Sequence, residues 1–125
     1  MIWRIQRGEV TDLAARGGSK YRAKKTTIDG MVFDSRREAK RYVELREMER
    51  NGEISDLKRQ VREELIPPFD CQGKHFRGIY YVVDFVYTDS DGDVIWEDVK
   101  GMKTQIYLMK RKLVAYRYGK IIKET

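Results

Sequence analysis

The stretch Ile79-Tyr80-Tyr81-Val82-Val83-Asp84-Phe85-Val86-Tyr87 constrains the fold most: it is apolar or aromatic throughout except for one carboxylate near its middle. A run of this kind reads as a strand covered on both faces. Keeping Asp84 inside it costs on the order of several kcal/mol unless a cation or strong donors compensate the charge. A polar turn, Asp89-Ser90-Asp91-Gly92-Asp93, follows, and Val94 to Lys100 returns as the partner strand of a hairpin.

Side chains alternate along a strand, so Val94, Trp96, Asp98 and Lys100 share one face while Ile95, Glu97 and Val99 share the other. Residues equidistant from the turn lie opposite one another, which sets Asp84 within one or two positions of Asp98. Two carboxylates and an ammonium then converge. Such a set suits a hard divalent cation, Mg²⁺ with Mn²⁺ able to substitute. Asp84 and Asp98 would be ligands, the Val99 carbonyl would add an oxygen, and Lys100 would orient or deprotonate an attacking water. The chemistry this pattern points to is phosphodiester hydrolysis.

Upstream, Asp29-Gly30 between two short β-prone runs predicts a tight hairpin over Thr26 to Phe33. A helix should follow from Arg36 to Arg50, capped by Ser35 and stopped by Asn51-Gly52, with Ala39, Tyr42, Leu45 and Met48 as its buried stripe. Glu38 falls on that stripe between Tyr42 and Leu45 and so faces the sheet. Two readings of it stand side by side: the second acid of a Ser35-x-x-Glu38 capping box, or a third carboxylate for the metal or the water. Leu57 to Ile66 reads as a strand ended by Pro67-Pro68, with a polar turn near Gln72-Gly73. Beyond the central hairpin, Thr104 to Arg117 reads as a second amphipathic helix with Ile106, Met109, Leu113 and Val114 inward. Gly119 closes it before a final strand, Lys120 to Lys123. The order is helix, three strands, helix, strand. Three consecutive strands are most simply antiparallel, and a right-handed crossover through the second helix brings the last strand in parallel. An α/β (α+β) domain results, a mixed sheet flanked by helices.

With 125 residues the chain suits one domain, here 26–125, preceded by a basic arm over 1–25. Lysines and arginines number 26 against 20 acids, a formal charge of +6 that favours an anionic partner such as DNA. The arm reads equally as a solvated tail or as a contact to DNA through Arg22, Lys24 and Lys25. Lys103, Lys110 and Arg117 recur every seven residues, either as a ridge that grips phosphates or as a solvated helix face. One cysteine, Cys71, and one histidine, His75, are too few for a zinc site or an internal disulfide, which suits a reducing, cytoplasmic setting. No apolar run approaches the roughly 20 residues a membrane span needs, and the start lacks the apolar stretch of a secretory signal.

The whole pattern resembles the PD-(D/E)XK nuclease superfamily, whose core runs αβββαβ and whose motif is Asp, a spacer, then Asp or Glu, any residue, Lys. Here it reads Val83-Asp84, then Asp98-Val99-Lys100, with Glu38 at the acidic position of the first core helix. More narrowly, Ser35-Arg36-Arg37-Glu38-Ala39, Gly52-Glu53-Ile54 and Glu97-Asp98-Val99-Lys100-Gly101 are similar to a family of small phage and prophage proteins placed in that superfamily. The resemblance covers roughly Tyr21 to the C-terminus. It implies a restriction-endonuclease-like core and a Mg²⁺-dependent endodeoxyribonuclease in a phage-infected or lysogenic bacterial cytoplasm. Glu38, Asp84, Asp98 and Lys100 would be catalytic, and Glu38, Asp84, Asp98 and Val99 would hold the metal. Branch-cutting resolvases of this superfamily work as dimers, so the resemblance also admits a homodimer, a Holliday-junction or flap substrate, and phage replication or recombination proteins as partners.

The chain departs from the motif in two places: Val83 stands where proline is usual, and Glu97 adjoins the second acid. Strand parity favours Asp98 over Glu97, although a bulge would restore Glu97. Asp89, Asp91 and Asp93 imitate a calcium loop, but the glycine precedes the third acid and Lys100 stands where the closing glutamate belongs, so they read as a polar turn. Two other functions fit the same residues: a nucleic-acid-binding module in which the acids are structural, and a nuclease-like subunit that cuts only within a larger complex.

Overall fold

The computed structural model describes residues 25–125. Arg22, Lys24 and the rest of the basic arm before Lys25 lie outside the described residues. Thr26–Ile28 (β1) and Met31–Phe33 (β2) form the hairpin expected at Asp29-Gly30. Both turn residues have positive φ, 51° and 80°, the backbone of the two-residue turn that matches strand twist. Helix α1 spans Arg36–Arg50 as the sequence predicts, with the Ser35 hydroxyl accepting from the Glu38 N–H at 3.1 Å.

Three strands follow, Ser55–Ile66 (β3), Ile79–Thr88 (β6) and Val94–Asp98 (β7), with a small hairpin, Phe69–Cys71 (β4) and Lys74–Phe76 (β5), between the first two. Sequence patterning gave that hairpin only as a turn at Gln72-Gly73. Phe69 pairs with Phe76 in the register set by Ile66 and Ile79, so β4 and β5 continue the β3–β6 ribbon past Pro67-Pro68. Proline has no N–H to give the ladder, which explains why the pairing breaks there. Gly78 is required at the break, because a Cβ there would stand 2.7 Å from the Ile66 carbonyl oxygen.

Helix α2 spans Gln105–Tyr118, capped by Thr104 and closed by Gly119 at φ 67°. The last strand, β8, is Lys123–Glu124, shorter and later than the predicted Lys120 to Lys123. It runs parallel to β7, and the sheet order is β3-β6-β7-β8 with the other two neighbours antiparallel. Among the described residues the fold is thus mixed α+β, with one mixed four-stranded sheet and two helices. Among the described residues no helix is long and apolar enough to cross a membrane.

Two buried clusters flank the sheet. Phe33, Ala39, Tyr42, Leu45, Phe85 and Tyr87 pack beneath α1, and Leu65, Val83, Trp96, Tyr107, Val114 and Ile122 pack beneath α2. The expected stripe of α2 is corrected here: Ile106 and Met109 are 61% and 59% exposed, whereas Tyr107 and Val114 are buried. A helix this rich in apolar residues offers more than one stripe, and the Tyr107 ring, set against Tyr81, decides which one turns inward.

A buried ion pair ties α1 to the sheet. Arg41 donates through Nε and Nη2 to the two oxygens of Glu97 at 2.5 and 3.1 Å, and the Tyr87 and Thr125 hydroxyls donate to the same carboxylate. Glu97 is fully buried. Burial works to raise its pKa, but Arg41, Tyr87 and Thr125 outweigh burial and hold the carboxyl below its ordinary value. Burial followed by the bond to Glu97 pushes the Tyr87 hydroxyl well above the usual phenol range. Because the folded-state pKa of Glu97 is depressed, the pair contributes its full stability above the ordinary carboxylate range and loses it as pH falls through the folded value. Arg41→Ala should lower unfolding stability by about 3 kcal/mol in urea at pH 7, by leaving a buried charge uncompensated. The difference from wild type should shrink as the titration is repeated toward pH 3.

Candidate active site

Asp84 sits in β6 and Asp98 ends β7. Phe85 pairs with Glu97, and continuing that register sets Asp84 opposite Asp98, as strand counting predicts. The two acids meet directly: the Asp84 N–H donates to Asp98 Oδ1 at 2.8 Å. The Val99 N–H in turn donates to Asp84 Oδ2 at 3.0 Å. Both acids are buried, at 7% and 1% exposure. Glu97 points the other way, to Arg41, so alternation along β7 gives adjacent acids different surroundings.

Strand β7 stops at Asp98, two residues short of the predicted end, yet Lys100 still reaches the cluster. Its Nζ lies 3.4 Å from Asp98 Oδ2 and 4.2 Å from the centre of the Tyr107 ring. The Lys100 N–H donates to the Thr125 carbonyl and the Thr125 N–H to the Asp98 carbonyl, which fixes the backbone as it leaves the sheet. Tyr107 is itself held by donating to Glu124 Oε2 at 2.6 Å. Bonds from Tyr107, Lys103 and Arg111 draw the Glu124 carboxyl down to about 2. The second helix therefore positions Lys100 through an aromatic face and a hydroxyl anchored on β8.

Glu38 projects from the first turn of α1 and is 4% exposed. Ser35 caps the helix, and the Glu38 carboxylate accepts from Gln60 Nε2 at 3.0 Å, with an Arg59 guanidinium nitrogen at 3.9 Å. Gln60 Nε2 also lies 3.4 Å from Asp84 Oδ1. Gln60 is thus the hinge that joins Glu38 to the strand acids, and sequence patterning missed it. Its one sequence signal is a polar residue in a strand already rich in charged ones, which does not separate it from its neighbours.

Three buried carboxylates, one lysine and one amide therefore form a connected cluster. Its carboxylate oxygens fit a hard divalent cation, which would offset the cost of crowding like charges out of water. Among the described residues, the group whose carboxylate oxygens all lie within 4.8 Å of one another is a different one, Asp89, Asp91 and Asp93. Their turn explains that closeness, because Asp89 Oδ1 accepts from the N–H groups of both Asp91 and Asp93 at 2.9 Å.

The residues expected to contact phosphates are in different situations. Lys25 pairs with Asp34 at 2.7 Å, Lys103 with Glu124 at 2.9 Å, and Arg117 donates to the Leu65 carbonyl at 3.1 Å, so the ridge of every seventh residue is engaged internally at both ends. Lys110 instead lines a groove of about 990 Å³ between α2 and the β3–β6 ribbon. Arg62, Arg77 and His75 line it too, and among its described lining residues there is no carboxylate. Burial in the groove wall holds the Lys110 ammonium below its usual range. Gln60 lines the groove at the end where it meets the acid cluster.

The family model described as "Protein of unknown function (DUF1064)" matches residues 18–124, so the chain belongs to that family. No curated protein and no solved structure matches it.

The geometry separates the adjacent acids experimentally. Asp98→Asn keeps an oxygen for the Asp84 N–H and gives up an ion pair whose lysine is partly exposed, so in EDTA it should cost less stability than the loss of the Glu97 charge. Glu97→Gln, which strips the charge from the partner of Arg41, should lose about 3 kcal/mol under the same conditions.

Proposed function

We propose that the protein is a Mg²⁺-dependent endonuclease of the PD-(D/E)XK type that hydrolyses phosphodiester bonds in DNA. The observation that carries this reading is the meeting of Asp84 and Asp98 across neighbouring strands with Lys100 Nζ 3.4 Å from Asp98. The element order α1, three strands, α2, strand supports a restriction-endonuclease-like core, as does the parallel closing strand.

Asp84 and Asp98 would hold the cation, with Glu38 and the Val99 backbone beside them. When bound, Mg²⁺ supplies Lewis-acid polarisation of the scissile phosphate and lowers the pKa of a coordinated water. Lys100, steered by Tyr107, orients the attacking water and stabilises the charge that builds on the phosphate oxygens. Glu38, on a helix and not on the hairpin, reaches the opposite side of the cluster and accepts a proton or orients a water there. The groove with Arg62, Arg77 and Lys110 lays a polyanion against the cluster, where its phosphates neutralise cations without any base being read.

Purified protein incubated with single-stranded, duplex and branched DNA should cleave at least one of them in Mg²⁺ or Mn²⁺ and none in EDTA. Lys100→Ala should reduce cleavage by about 10²-fold or more while binding persists. Binding with a steep salt slope but no cleavage under either metal would favour a non-catalytic nucleic-acid-binding module. Arg62→Ala and Lys110→Ala should each weaken binding and lower the log–log salt slope by about 1, whereas Lys103→Ala should change it little.

A further inference from the structure

Gln60 combines features that a structural amide does not require. It stands in the middle of β3, opposite Asp84 in the register set by Arg59 with Phe85 and Val61 with Val83. Its φ is 56°, a left-handed backbone that costs a residue with a Cβ on the order of 1 kcal/mol or more. The pairing on either side keeps its register, so the left-handed turn re-aims one side chain without displacing the strand. Along β6, Tyr81 and Val83 belong to the α2 cluster while Phe85 and Tyr87 belong to the α1 cluster, and Asp84 stands at the changeover. Gln60 thus stands opposite the residue at which β6 passes from one buried cluster to the other.

The side chain is only half used. Its Nε2 bridges Glu38 at 3.0 Å and Asp84 at 3.4 Å. Its Oε1 is buried and has no hydrogen-bond partner among the described residues. A buried amide oxygen left in that state is uncommon in folded proteins and calls for a partner that is sometimes present. The terminal torsion of glutamine is broad and roughly two-fold, so nitrogen and oxygen exchange places by half a rotation within the same space.

We propose that Gln60 is a metal ligand that switches: its NH₂ group bridges Glu38 and Asp84 in the metal-free protein, and its amide rotates to give Oε1 to the divalent cation that replaces that bridge. The inference rests on the metal-site reading above. Without the cation, two N–H donors soften the repulsion between the carboxylates. With it, the same donors would face a positive charge, and rotation turns a repulsion into an oxygen ligand. A neutral ligand has a further use. Asp84, Asp98 and Glu38 already supply negative charge enough for a divalent ion, and an amide oxygen completes the set without repelling a phosphate.

Gln60→Gly and Gln60→Glu test this by calorimetric titration with Mg²⁺ and Mn²⁺, alongside thermal unfolding in EDTA. Glycine adopts φ 56° without strain, which offsets part of the loss of the Nε2 bridge, so Gln60→Gly should still unfold cooperatively in EDTA while binding metal about tenfold more weakly or worse. Gln60→Glu should bind metal more tightly and melt lower in EDTA, because a further carboxylate crowds the cluster. In wild type, the Gln60 side-chain NH₂ resonances, identified by their absence from Gln60→Gly spectra, should shift and exchange faster with water once Mg²⁺ saturates the site. A Gln60→Gly variant with wild-type metal affinity, or NH₂ resonances unmoved by saturating Mg²⁺, would overturn the role of Gln60 and leave the metal site standing. Wild-type protein that binds neither ion would overturn the metal site itself and the inference with it.

Discussion

The bond from the Asp84 backbone N–H to Asp98 Oδ1, 2.8 Å long, is the contact on which the rest of the site is built. It uses a donor that the strand ladder would otherwise spend on a neighbour's carbonyl, and it holds two largely buried carboxylates together. Crowding like charges out of water is unfavourable, so a fold that does it must gain something from the crowding. Lys100, Gln60 and Arg59 answer part of the charge, and each is fixed by a different element: Lys100 by the ring of Tyr107 on α2, Gln60 by a left-handed backbone in β3, Arg59 by the face of Phe33. Disturbing any of these supports loosens the cluster without touching an acid.

Neighbouring acids on one short strand meet different surroundings. Glu97 looks toward α1, where Arg41, Tyr87 and Thr125 satisfy it completely and its charge serves to pin a helix to the sheet. Asp98, one residue on, looks toward Asp84 and Lys100. The pleat of the strand is the whole cause of the difference. A one-residue slip of β7 would exchange the two environments and lose both the brace and the site, which is why the turn at Asp89–Asp93 holds its register through its own hydrogen bonds.

Much of this was legible in the sequence because it follows from local rules. The hairpins at Asp29-Gly30 and Asp89–Asp93, the caps of the first helix and the closing glycine of the second, the meeting of Asp84 with Asp98 and the parallel last strand come from turn chemistry, capping, parity and crossover handedness. What escaped depends on tertiary contacts. The inward face of α2 is chosen by Tyr107 packing on Tyr81, not by the periodicity of Ile106 and Met109. The β4–β5 hairpin was hidden because its strands are three residues long and exposed throughout. Gln60 escaped because a positive φ at a non-glycine residue leaves no mark in composition. The basic ridge of Lys103, Lys110 and Arg117 was periodic, yet its two ends pair with Glu124 and the Leu65 carbonyl, and the open cations sit instead along the neighbouring groove.

The central claim is that the buried acids, and not the acidic turn, form the metal centre. Crystals of the full chain soaked in Mn²⁺ and measured for anomalous scattering test it most directly. The account predicts a strong peak bounded by the carboxylates of Asp84 and Asp98. A peak confined to Asp89, Asp91 and Asp93, with the buried cluster empty at saturating Mn²⁺, would contradict it.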